Sequence, residues 1–363
     1  MRRLSSVVEQ RFCKPQVLGS NPRGGFFLQY ALETPKRPPQ NVGMKNFRYA
    51  IIGTGALGGL YGAMLHKAGL EVHFLLHHDY PHVHAHGLRV DSLWGHFTLP
   101  DIHAYGEACQ MPPCDVVCVC LKTTANQALR DILPHVARPG STVLLMQNGL
   151  GAEEEVAALL PEVKVGGGLC YLCCNRIGPG HIQHIDYGKV TFGAHTPGLG
   201  AILETVRADF QKAGVPVELT QDLQAARWRK LVWNIPFNGL SVILHTDTDR
   251  MMSDPRITAL AYDLMREVIA GARACGQAVE PAFADEMCAL TRKMKPYRTS
   301  MALDFDARRA LETEYIYRRP LRAARDAGLA LPRIETLASL LEFLDAQRRT
   351  DHRRDVVRLR SPP

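Results

Sequence analysis

Three polar side chains recur at four-residue intervals in an otherwise apolar stretch of the sequence, from Trp228 to Leu240. Lys230, Asn234 and Asn238 are spaced so that an α-helix would place them in one stripe. Polar groups on a largely buried helix need partners, so the stripe predicts either a hydrogen-bond network to another helix or a surface that faces a ligand. A buried lysine has a lowered pKa and donates a proton near neutral pH, which makes Lys230 a candidate general acid.

A glycine-rich turn of the pattern G-x-G-x-x-G lies between a predicted strand and a predicted helix. Its residues are Gly53, Thr54, Gly55, Ala56, Leu57 and Gly58. The first glycine permits a tight turn, the second lets the backbone approach a pyrophosphate, and the free N–H groups of the following helix bind phosphate. The pattern predicts a dinucleotide site, and the alternative is a purely structural glycine turn.

The end of the second predicted strand indicates which dinucleotide binds. NAD-binding units usually place an acidic residue about 20 residues beyond the glycines, where it binds the ribose hydroxyls. Here the strand ends in His77 and His78, and Asp79 follows. Because no acid occupies the tip itself, we expect His77 to contact the 2′-phosphate of NADP. NADPH is therefore the expected reductant. We interpret the histidines from 77 to 86 as a loop running into a strand rather than a metal site.

Two more polar residues follow predicted strands. Lys122 comes directly after the strand at 115–121, and Asn148 follows the strand at 143–146. The carboxyl ends of parallel strands meet at one edge of the sheet, which is where this type of sheet binds ligands. We therefore expect both side chains to contact the cofactor or the substrate, although a strand-end lysine also occurs simply as a solvated surface residue.

Alternating strand and helix patterns predict the α/β class, with a parallel sheet in the N-terminal half. Strands are expected at 49–52, 71–76, 115–121, 143–146, 163–174, 181–185 and 189–193, and helices at 57–68, from 126 onward and near 153–159. Long helical periodicity follows, at 225–244, 256–276, 302–327 and 333–347. We predict a Rossmann-type dinucleotide-binding domain over residues 44–220, an all-helical substrate domain over 221–347, and an active site in the cleft between them.

The net charge of +7 resides at the two ends of the chain. Residues 1–43 carry +5 and residues 345–363 carry +3, so the body is nearly neutral and presents no broad nucleic-acid-binding face. We interpret residues 1–43 as a disordered or spurious extension before a start at Met44, with an organelle transit peptide as the alternative. Residues 348–363 are expected to form a basic, disordered tail. No apolar run approaches the ~18–20 residues of a membrane span.

Ten cysteines raise the question of a metal or of disulfides. Cys118 and Cys120 alternate within a buried-strand pattern, while Cys170, Cys173 and Cys174 contain a C-x-x-C spacing without a second pair. We expect reduced, small apolar side chains and no metal, which predicts a cytoplasmic protein.

Taken in order along the chain, these motifs resemble the ketopantoate reductase (2-dehydropantoate 2-reductase) family over roughly residues 46–347. The segments that carry the resemblance are GTGALGG at 53–59, LKTTANQAL at 121–129, QNGLGAEEEV at 147–156, RWRKLVWNIPFNGLSVIL at 227–244 and TSMALDFDARRALETEYI at 299–316. The segment at 227–244 is the most specific of them, since a glycine-rich turn alone is common to many unrelated enzymes.

The resemblance implies NADPH-dependent reduction of 2-dehydropantoate to pantoate, a step of pantothenate and coenzyme A biosynthesis. It implies that Lys230 donates the proton to the ketone oxygen and that Glu312 is a catalytic acid beside cofactor and substrate, with Glu314 at the position of another acid. By the same resemblance the substrate is held by Asn148, Lys230, Asn234, Asn238 and Ser300. The cofactor would be contacted by the turn at 53–58 together with His77, Lys122, Asn148 and Glu312.

The sequence also departs from the family pattern. His77 stands where the family usually has an arginine for the 2′-phosphate, Thr248 stands where an asparagine contacts substrate, and residues 168–175 are rich in cysteine. These departures leave NADH as cofactor and a different 2-oxo acid as substrate open. A non-catalytic nucleotide sensor is a third reading, which the set of Lys230, Asn234, Asn238 and Glu312 disfavours. A small-molecule 2-oxo acid is the expected partner, and a homodimer is left open.

Overall fold

The computed structural model describes residues 46–360, with side chains described as far as residue 348. The interpretation of residues 1–43, including the expected start at Met44, therefore lies outside the described residues, as do the last three positions of the predicted tail. Within the described part of the chain, every helix is too short or too polar to cross a membrane.

The N-terminal part of the described chain is built around one sheet. Its elements are β1 (Arg48–Ile52), α1 (Ala56–Lys67), β2 (Glu71–Leu75), α2 (Tyr80–His86), β3 (Leu88–Ser92), β4 (Gly95–Leu99), β5 (His103–Tyr105), β6 (Val116–Val119), α3 (Leu129–Val136), β7 (Thr142–Leu145), α4 (Ala152–Leu159), β8 (Lys164–Gly178), β9 (His181–Ala194), α5 (Gly200–Lys212) and β10 (Val217–Thr220). The strand order is β4-β3-β9-β8-β7-β6-β1-β2-β5, and β10 pairs with β9.

Parallel pairing joins β5, β2, β1, β6, β7 and β8, as the alternating strand and helix patterns predict. The sheet is nevertheless mixed, because β8 and β9 are antiparallel, as are β3 and β4. The short turn at Gly178-Pro179-Gly180 joins β8 to β9, and a turn of that length returns the chain directly, whereas a parallel neighbour needs a longer crossover. The two predicted strands at 181–185 and 189–193 are one continuous strand, β9.

The C-terminal part is helical. It contains α6 (Leu223–Ile243), α7 (Thr248–Ser253), α8 (Pro255–Ala274), α9 (Phe283–Lys293), α10 (Ser300–Asp306), α11 (Arg319–Asp326) and α12 (Pro332–Arg360). Asp222 caps the start of α6 by accepting a hydrogen bond from Ala225 N, and Asp254 caps α8 in the same way with Pro255 at its first position. α6 packs against α8, α10 and α12, with Trp228 and Ile235 in the shared core.

Two predictions of local structure are wrong. The histidines after Asp79 belong to the helix α2, not to a loop and strand, and Val83 and Gly87 are buried four residues apart while residues 84–86 between them are exposed, which is helical spacing. The predicted helix at 302–327 is broken: α10 ends at Asp306, Arg308 has a φ of +55°, and regular structure resumes with a π-type turn at Glu314–Arg318 that leads into α11. Within the intervening segment the Glu312 carboxylate accepts hydrogen bonds from the backbone N–H and hydroxyl of Thr123, just after β6.

The last helix is longer than its predicted range of 333–347. α12 continues through residue 348 to Arg360 instead of ending near 347. Residues 348–360 contain no glycine or proline, so no backbone signal stops the helix before Ser361-Pro362. Several elements also lack a sequence prediction, namely β3, β4, β5, β10, α5, α7 and α9, most of which are short or have mixed patterns.

Candidate active site

A cavity of about 740 Å³ lies where the carboxyl ends of β1, β6 and β7 face the helical part of the chain. Most of the predicted site residues line it, although they are up to about 260 positions apart in sequence. They are Gly53, Gly55, Ala56, Leu57, Lys122, Asn148, Lys230, Asn234, Asn238, Ser300 and Glu312. Thr54, Gly58 and His77 are the predicted site residues that do not line this cavity.

The glycine-rich turn has the backbone geometry that a pyrophosphate site requires. Gly53 has a φ of +95°, and a Cβ at this position would come within 2.9 Å of the Leu121 amide nitrogen. A Cβ on Gly58 would lie 2.3 Å from the Gly53 carbonyl oxygen, so that glycine lets α1 pack closely on β1. A Cβ on Gly55 would meet nothing within 4 Å, which means that this glycine faces open space. The turn is therefore shaped on one side by the protein and is accessible on the other.

The start of α1 supplies the polar groups for such a ligand. No side chain caps the helix, so its first backbone N–H groups are not satisfied by a capping oxygen. Thr54 faces away from the cavity and donates its hydroxyl to the Leu75 carbonyl at 3.0 Å, which ties the turn to β2. These residues fit a dinucleotide pyrophosphate, because the accessible face of Gly55 and the amides of the helix N-terminus lie together.

The polar stripe of α6 is buried and faces the cavity. Asn234 is 6% exposed and Asn238 is 2% exposed, yet neither side-chain amide has a hydrogen-bond partner among the residues that the structure describes. Neither amide belongs to the fully buried polar groups that lack a partner, so both open to the cavity, whereas a network to another helix would satisfy these groups internally. The arrangement therefore favours the ligand-facing reading of the stripe over the structural one.

Lys230 begins this stripe and is anchored to the sheet. Its Nζ donates a hydrogen bond of 2.7 Å to the carbonyl oxygen of Cys170 on β8, and it lies 5.1 Å from the centre of the Tyr171 ring. Burial, with a smaller contribution from the nearby Arg227 charge, lowers the pKa of Lys230 to about 8, against the opposing effects of Cys170 and Glu312. An ammonium group with this pKa remains protonated at neutral pH and releases its proton readily.

Glu312 joins the helical part of the chain to the end of β6. One carboxylate oxygen accepts hydrogen bonds from the backbone N–H of Thr123 at 2.9 Å and from its hydroxyl at 2.8 Å, while the other lies 3.4 Å from Lys122 Nζ. Glu312 is 5% exposed and also lines a second cavity of about 810 Å³. Contrary to the sequence prediction, it lies in the irregular segment after α10 rather than on a helix.

Lys122 is shared by two carboxylates. Its Nζ donates to Asp304 Oδ2 at 2.8 Å in addition to its contact with Glu312, and Arg309 donates to the other oxygen of Asp304 at 2.8 Å. Burial lowers the pKa of Lys122, but the charges of Glu312 and Asp304 outweigh it, and the resulting pKa is raised. Lys122 is therefore a permanent cation at the sheet edge, in contrast to Lys230.

The two remaining cavity residues of the predicted substrate set come from different elements. Asn148 follows β7 directly before Gly149, whose positive φ of +94° turns the chain toward the backbone of Tyr315. Ser300 is the first residue of α10, whose cap is the preceding Thr299. Both side chains are partly exposed to the cavity.

His77 is not brought to the cavity. It is exposed at the end of β2, with its ring 3.9 Å from that of His78. The neighbouring Asp79 is bound by Arg176 through both carboxylate oxygens, at 2.7 and 2.9 Å, and accepts a bond from the Gly180 amide. The single acid near the tip of β2 is therefore already paired.

Glu314 and Thr248 also lie away from the cavity. Glu314 is exposed and pairs with Arg322 and Arg319. Thr248 is buried, and its hydroxyl accepts a hydrogen bond from the Tyr297 backbone N–H at 3.1 Å. Its side chain therefore fastens the segment before α10 and does not present a polar group to the cavity.

Sequence reasoning missed a buried ion pair beneath the site. Arg227, 2% exposed, donates to Glu153 of α4 and to the backbone carbonyls of Leu145 and Gln147 at the end of β7. Glu153 is 1% exposed. This guanidinium fixes α6 on the sheet one turn before Lys230. An arginine in an apolar helical stretch could have indicated a buried ion pair, but no nearby residue identified its partner.

The cysteines are distributed as the strand patterns predict. Cys118 is buried in β6, while Cys170, Cys173 and Cys174 lie on β8 and line the cavity; all are free thiols. Burial raises the pKa of Cys170 and Cys173 to about 11. They present neutral, weakly polar sulfur to the cavity. Among the described residues, no group of three or more His, Cys, Asp or Glu side chains is arranged to hold a metal ion.

Comparisons with known proteins match this architecture over nearly all of the described chain. Residues 49–197 match the family model described as ketopantoate reductase PanE/ApbA, and residues 222–345 match the model of the C-terminal part of the same family. A 2-dehydropantoate 2-reductase from a Nostoc species is 49% identical over 312 residues, which cover 85% of this chain and 98% of the relative.

Solved structures agree with the sequence comparison. A 2-dehydropantoate 2-reductase from Geobacter metallireducens superimposes with a TM-score of 0.79 at 41% identity, covering 81% of this chain and 99% of that one. D-mandelate dehydrogenase, solved with NADH and anilino(oxo)acetate, has the same fold with a TM-score of 0.76 at 19% identity, covering 83% and 99% of the two chains.

Proposed function

Since this chain belongs to the ketopantoate reductase family, we propose that it catalyses the NADPH-dependent reduction of 2-dehydropantoate to pantoate, with Lys230 as the proton donor. The observation that carries the proposal is the unpaired, buried stripe of Asn234 and Asn238 beside a lysine whose pKa is lowered to about 8. The relative that is 49% identical to this chain is described as a 2-dehydropantoate 2-reductase, which supports the choice of substrate.

The proposed chemistry needs charge stabilisation and a proton at one oxygen. A bound nicotinamide supplies the hydride that reduces the keto carbon. The ammonium of Lys230 stabilises the negative charge that develops on the ketone oxygen and then gives that oxygen its proton. Its hydrogen bond to the Cys170 carbonyl holds the side chain in one orientation before substrate binds, so little reorganisation is needed.

The remaining polar groups would hold the substrate in place. Asn234, Asn238 and Ser300 offer donors and acceptors for the hydroxyl and carboxylate groups of the acid, and Asn148 lies at the sheet side of the same cavity. Glu312 would act mainly by positioning, because its carboxylate oxygens are engaged with Thr123 and Lys122. Those bonds hold the helical part against the end of β6, next to the glycine-rich turn.

Preference for NADPH over NADH rests on the charges near the tip of β2. An enzyme specific for NADH would be expected to offer a free carboxylate to the ribose hydroxyls. Asp79 is instead bound by Arg176, and His77 is exposed beside it. These groups suit a 2′-phosphate better than a ribose diol, which supports NADP as the cofactor.

A direct assay tests the proposal. Purified protein would be mixed with NADPH or NADH and 2-dehydropantoate, and the absorbance of the reduced nicotinamide followed. We expect 2-dehydropantoate-dependent oxidation of NADPH with a kcat/KM larger than that for NADH. If neither cofactor is oxidised in the presence of 2-dehydropantoate, the proposed function is wrong; oxidation with NADH alone would overturn only the cofactor preference.

A second candidate is reduction of a different 2-oxo acid by the same chemistry. The observation that favours it is Thr248, whose buried hydroxyl is occupied by the Tyr297 backbone at a position where the family pattern has an asparagine. A panel of 2-oxo acids in the same assay separates the candidates.

A homodimer is also proposed, since a ketopantoate reductase from Staphylococcus aureus is described as dimeric. Light scattering of the purified protein tests it.

A further inference from the structure

A guanidinium from a distant part of the chain lies at the tip of β2. Arg176, near the end of β8, donates from Nη1 to both carboxylate oxygens of Asp79, at 2.7 and 2.9 Å. Asp79 follows the last residue of β2 by four positions, and the Gly180 N–H also donates to its carboxylate. The acid at this tip is therefore occupied by partners from the hairpin of β8 and β9.

The same ion pair leaves the guanidinium with unused donors. Nη2 and Nε of Arg176 form no hydrogen bond to any residue that the structure describes, and the side chain is 43% exposed. The Asp79 side chain, by contrast, is 13% exposed. A guanidinium is a permanent cation, and its N–H groups form a planar fork that fits phosphate oxygens. The group that faces solvent at the tip is therefore a cationic donor rather than a carboxylate.

β8 brings Arg176 to the side of the sheet on which the glycine-rich turn lies. Cys174 precedes Arg176 by two residues on the same face of β8, and its Sγ donates to the Ala56 carbonyl of the turn at 3.4 Å. Ile182 lies directly opposite Arg176 on β9 and packs on α1, where a Cβ on Gly59 would come within 2.7 Å of Ile182 Cδ1. Arg176 therefore projects from the face of the sheet that carries the turn and the start of α1.

The hairpin is held beside α2 by backbone contacts as well as by the ion pair. Gly180, in the turn between β8 and β9, has a φ of +60°, and a Cβ there would lie 2.8 Å from Val83 Cγ2 on α2. Its carbonyl accepts a hydrogen bond of 2.8 Å from the Arg89 N–H in β3. We therefore expect the hairpin to stay in place when only the charge of Arg176 is changed.

A dinucleotide whose pyrophosphate lies on the glycine-rich turn places its adenosine ribose at the tip of the second strand. We propose that Arg176 binds the 2′-phosphate of NADP there through Nη2 and Nε, and that its bond to Asp79 leaves no free carboxylate for the ribose hydroxyls of NAD. The inference rests on the proposed function for its use of NADPH, but it assigns the choice of nucleotide to a residue of β8, outside the strand–turn–helix–strand unit that binds the pyrophosphate.

Nucleotide binding in the absence of any 2-oxo acid tests the assignment. NADP⁺ and NAD⁺ would be titrated by calorimetry into the native protein, which we expect to bind NADP⁺ about tenfold more tightly or better. Arg176→Gln should lose about 10–100-fold in NADP⁺ affinity and less than about threefold in NAD⁺ affinity, since hydrogen bonds to a charged group contribute that much. Equal affinity of the native protein for the two nucleotides, or equal losses in the variant, would overturn the assignment.

The opposite charge of the pair gives a test that separates phosphate binding from a structural role. Asp79→Asn keeps an oxygen for Arg176 and for the Gly180 N–H but removes a negative charge beside the proposed phosphate position. We expect NADP⁺ to bind about threefold more tightly to this variant, with a smaller change for NAD⁺. If Asp79→Asn weakens NADP⁺ binding as Arg176→Gln does, the pair only holds the hairpin and the proposal is wrong.

Two further variants separate the charge from the shape of the side chain. Arg176→Lys keeps a cation and should retain more NADP⁺ affinity than Arg176→Gln; an equal loss would contradict a contact with the phosphate. Arg138→Gln is the matched control, because Arg138 is 51% exposed and pairs with Asp115 at 2.6 Å, but at the start of β6, on the opposite edge of the sheet. It should keep the native ratio of the two affinities, and a shift as large as that of Arg176→Gln would overturn the assignment.

These binding measurements are independent of the reaction, because no 2-oxo acid is present. A protein that selects NADP⁺ through Arg176 but does not reduce 2-dehydropantoate would support this inference and count only against the proposed function. A protein that reduces 2-dehydropantoate with NADPH, but whose Arg176→Gln variant keeps the native ratio of NADP⁺ to NAD⁺ affinity, would leave the proposed function intact and overturn this inference.

Discussion

The glycine-rich turn at residues 53–58 and the polar stripe of α6 face the same cavity, but they present different kinds of groups to it. The turn offers backbone: a positive φ at Gly53, an accessible face at Gly55 and the uncapped start of α1. The stripe offers side chains, two of them buried amides without a partner in the described chain. Backbone sites follow from a local pattern, while side-chain sites depend on what the rest of the fold leaves unpaired.

The turn and the stripe also differ in how much binding free energy a ligand gains from them. The glycine turn leaves its free N–H groups at an open face, where solvent can satisfy them, and costs little when no ligand is bound. Asn234 and Asn238 have amide groups that open to the cavity and have no partner among the described residues, so a ligand in the cavity can form hydrogen bonds to them. The stripe is therefore expected to contribute to substrate affinity and chemistry, and the turn to nucleotide affinity. Selective changes in the two regions test that division.

Replacing Lys230 should slow the reduction and leave nucleotide binding unchanged. Lys230→Ala removes the proton donor, and we expect kcat to fall by roughly 10²–10⁴-fold, the usual contribution of general acid catalysis. NADPH affinity, measured by fluorescence titration, should stay within about threefold of the native value, since threefold is well under 1 kcal/mol. A near-normal turnover rate would remove Lys230 from the proposed role, and a parallel loss of NADPH binding would contradict the division between the regions.

Arg227 fixes α6, which carries the polar stripe, to α4 and the end of β7, so its loss should affect the whole fold. Arg227→Met leaves Glu153 buried without a partner and frees two strand carbonyls, and we expect the free energy of unfolding to drop by about 3–5 kcal/mol in urea denaturation. The double variant Arg227→Met/Glu153→Leu removes both charges and should regain much of that loss. If the double variant is as unstable as the single one, the ion pair is not the origin of the effect.

Truncating the buried amide at Asn238 should weaken substrate binding alone. Asn238→Ala removes one polar group of the stripe, and we expect KM for 2-dehydropantoate to rise with a loss of about 1–3 kcal/mol in kcat/KM. Asn238→Ser retains a hydroxyl and serves as the milder comparison. An unchanged kcat/KM, or a gain in thermal stability without a change in KM, would mean that the amide is not directed at substrate.

The lowered pKa of Lys230 predicts the pH dependence of the reduction. Because the ammonium is the active form, kcat/KM should be level below pH 8 and fall about tenfold per pH unit above it, as expected for loss of one proton. In the Lys230→Arg variant any residual activity should lack this falling limb, since a guanidinium stays protonated. A native profile that is flat to pH 10 would contradict the assignment of the limb to Lys230.

His77 should affect only the choice of nucleotide, with the smallest change of the set. His77→Arg places a permanent cation at the tip of β2, and we expect the NADPH to NADH ratio of kcat/KM to rise by about fivefold, roughly 1 kcal/mol. Because His77 is exposed and lies outside the cavity, KM for the 2-oxo acid should stay the same. An unchanged nucleotide ratio would mean that His77 does not meet the 2′-phosphate.

Most of the fold and much of the candidate site were accessible from the sequence. The strand–turn–helix at Tyr49–Ala68 and the strands that end before Lys122 and Asn148 have strong local patterns, and the structure has them within one to three residues. The break after Asp306 had no such signal. Residues 302–327 carry helical spacing throughout, but the chain leaves the helix after Asp306, in the segment where Glu312 bonds to Thr123 at the sheet edge.

The sequence alone determined which groups exist and how they are spaced: the glycines of the turn, the four-residue interval from Lys230 to Asn238, and the strand ends that carry Lys122 and Asn148. These depend on dihedral preferences and helical period, which act over a few residues. Tertiary structure decided which groups find partners. It paired Arg227 with Glu153 and Asp79 with Arg176, and it left the amides of α6 without a partner in the described part of the chain, because burial and pairing depend on residues that are distant in the chain.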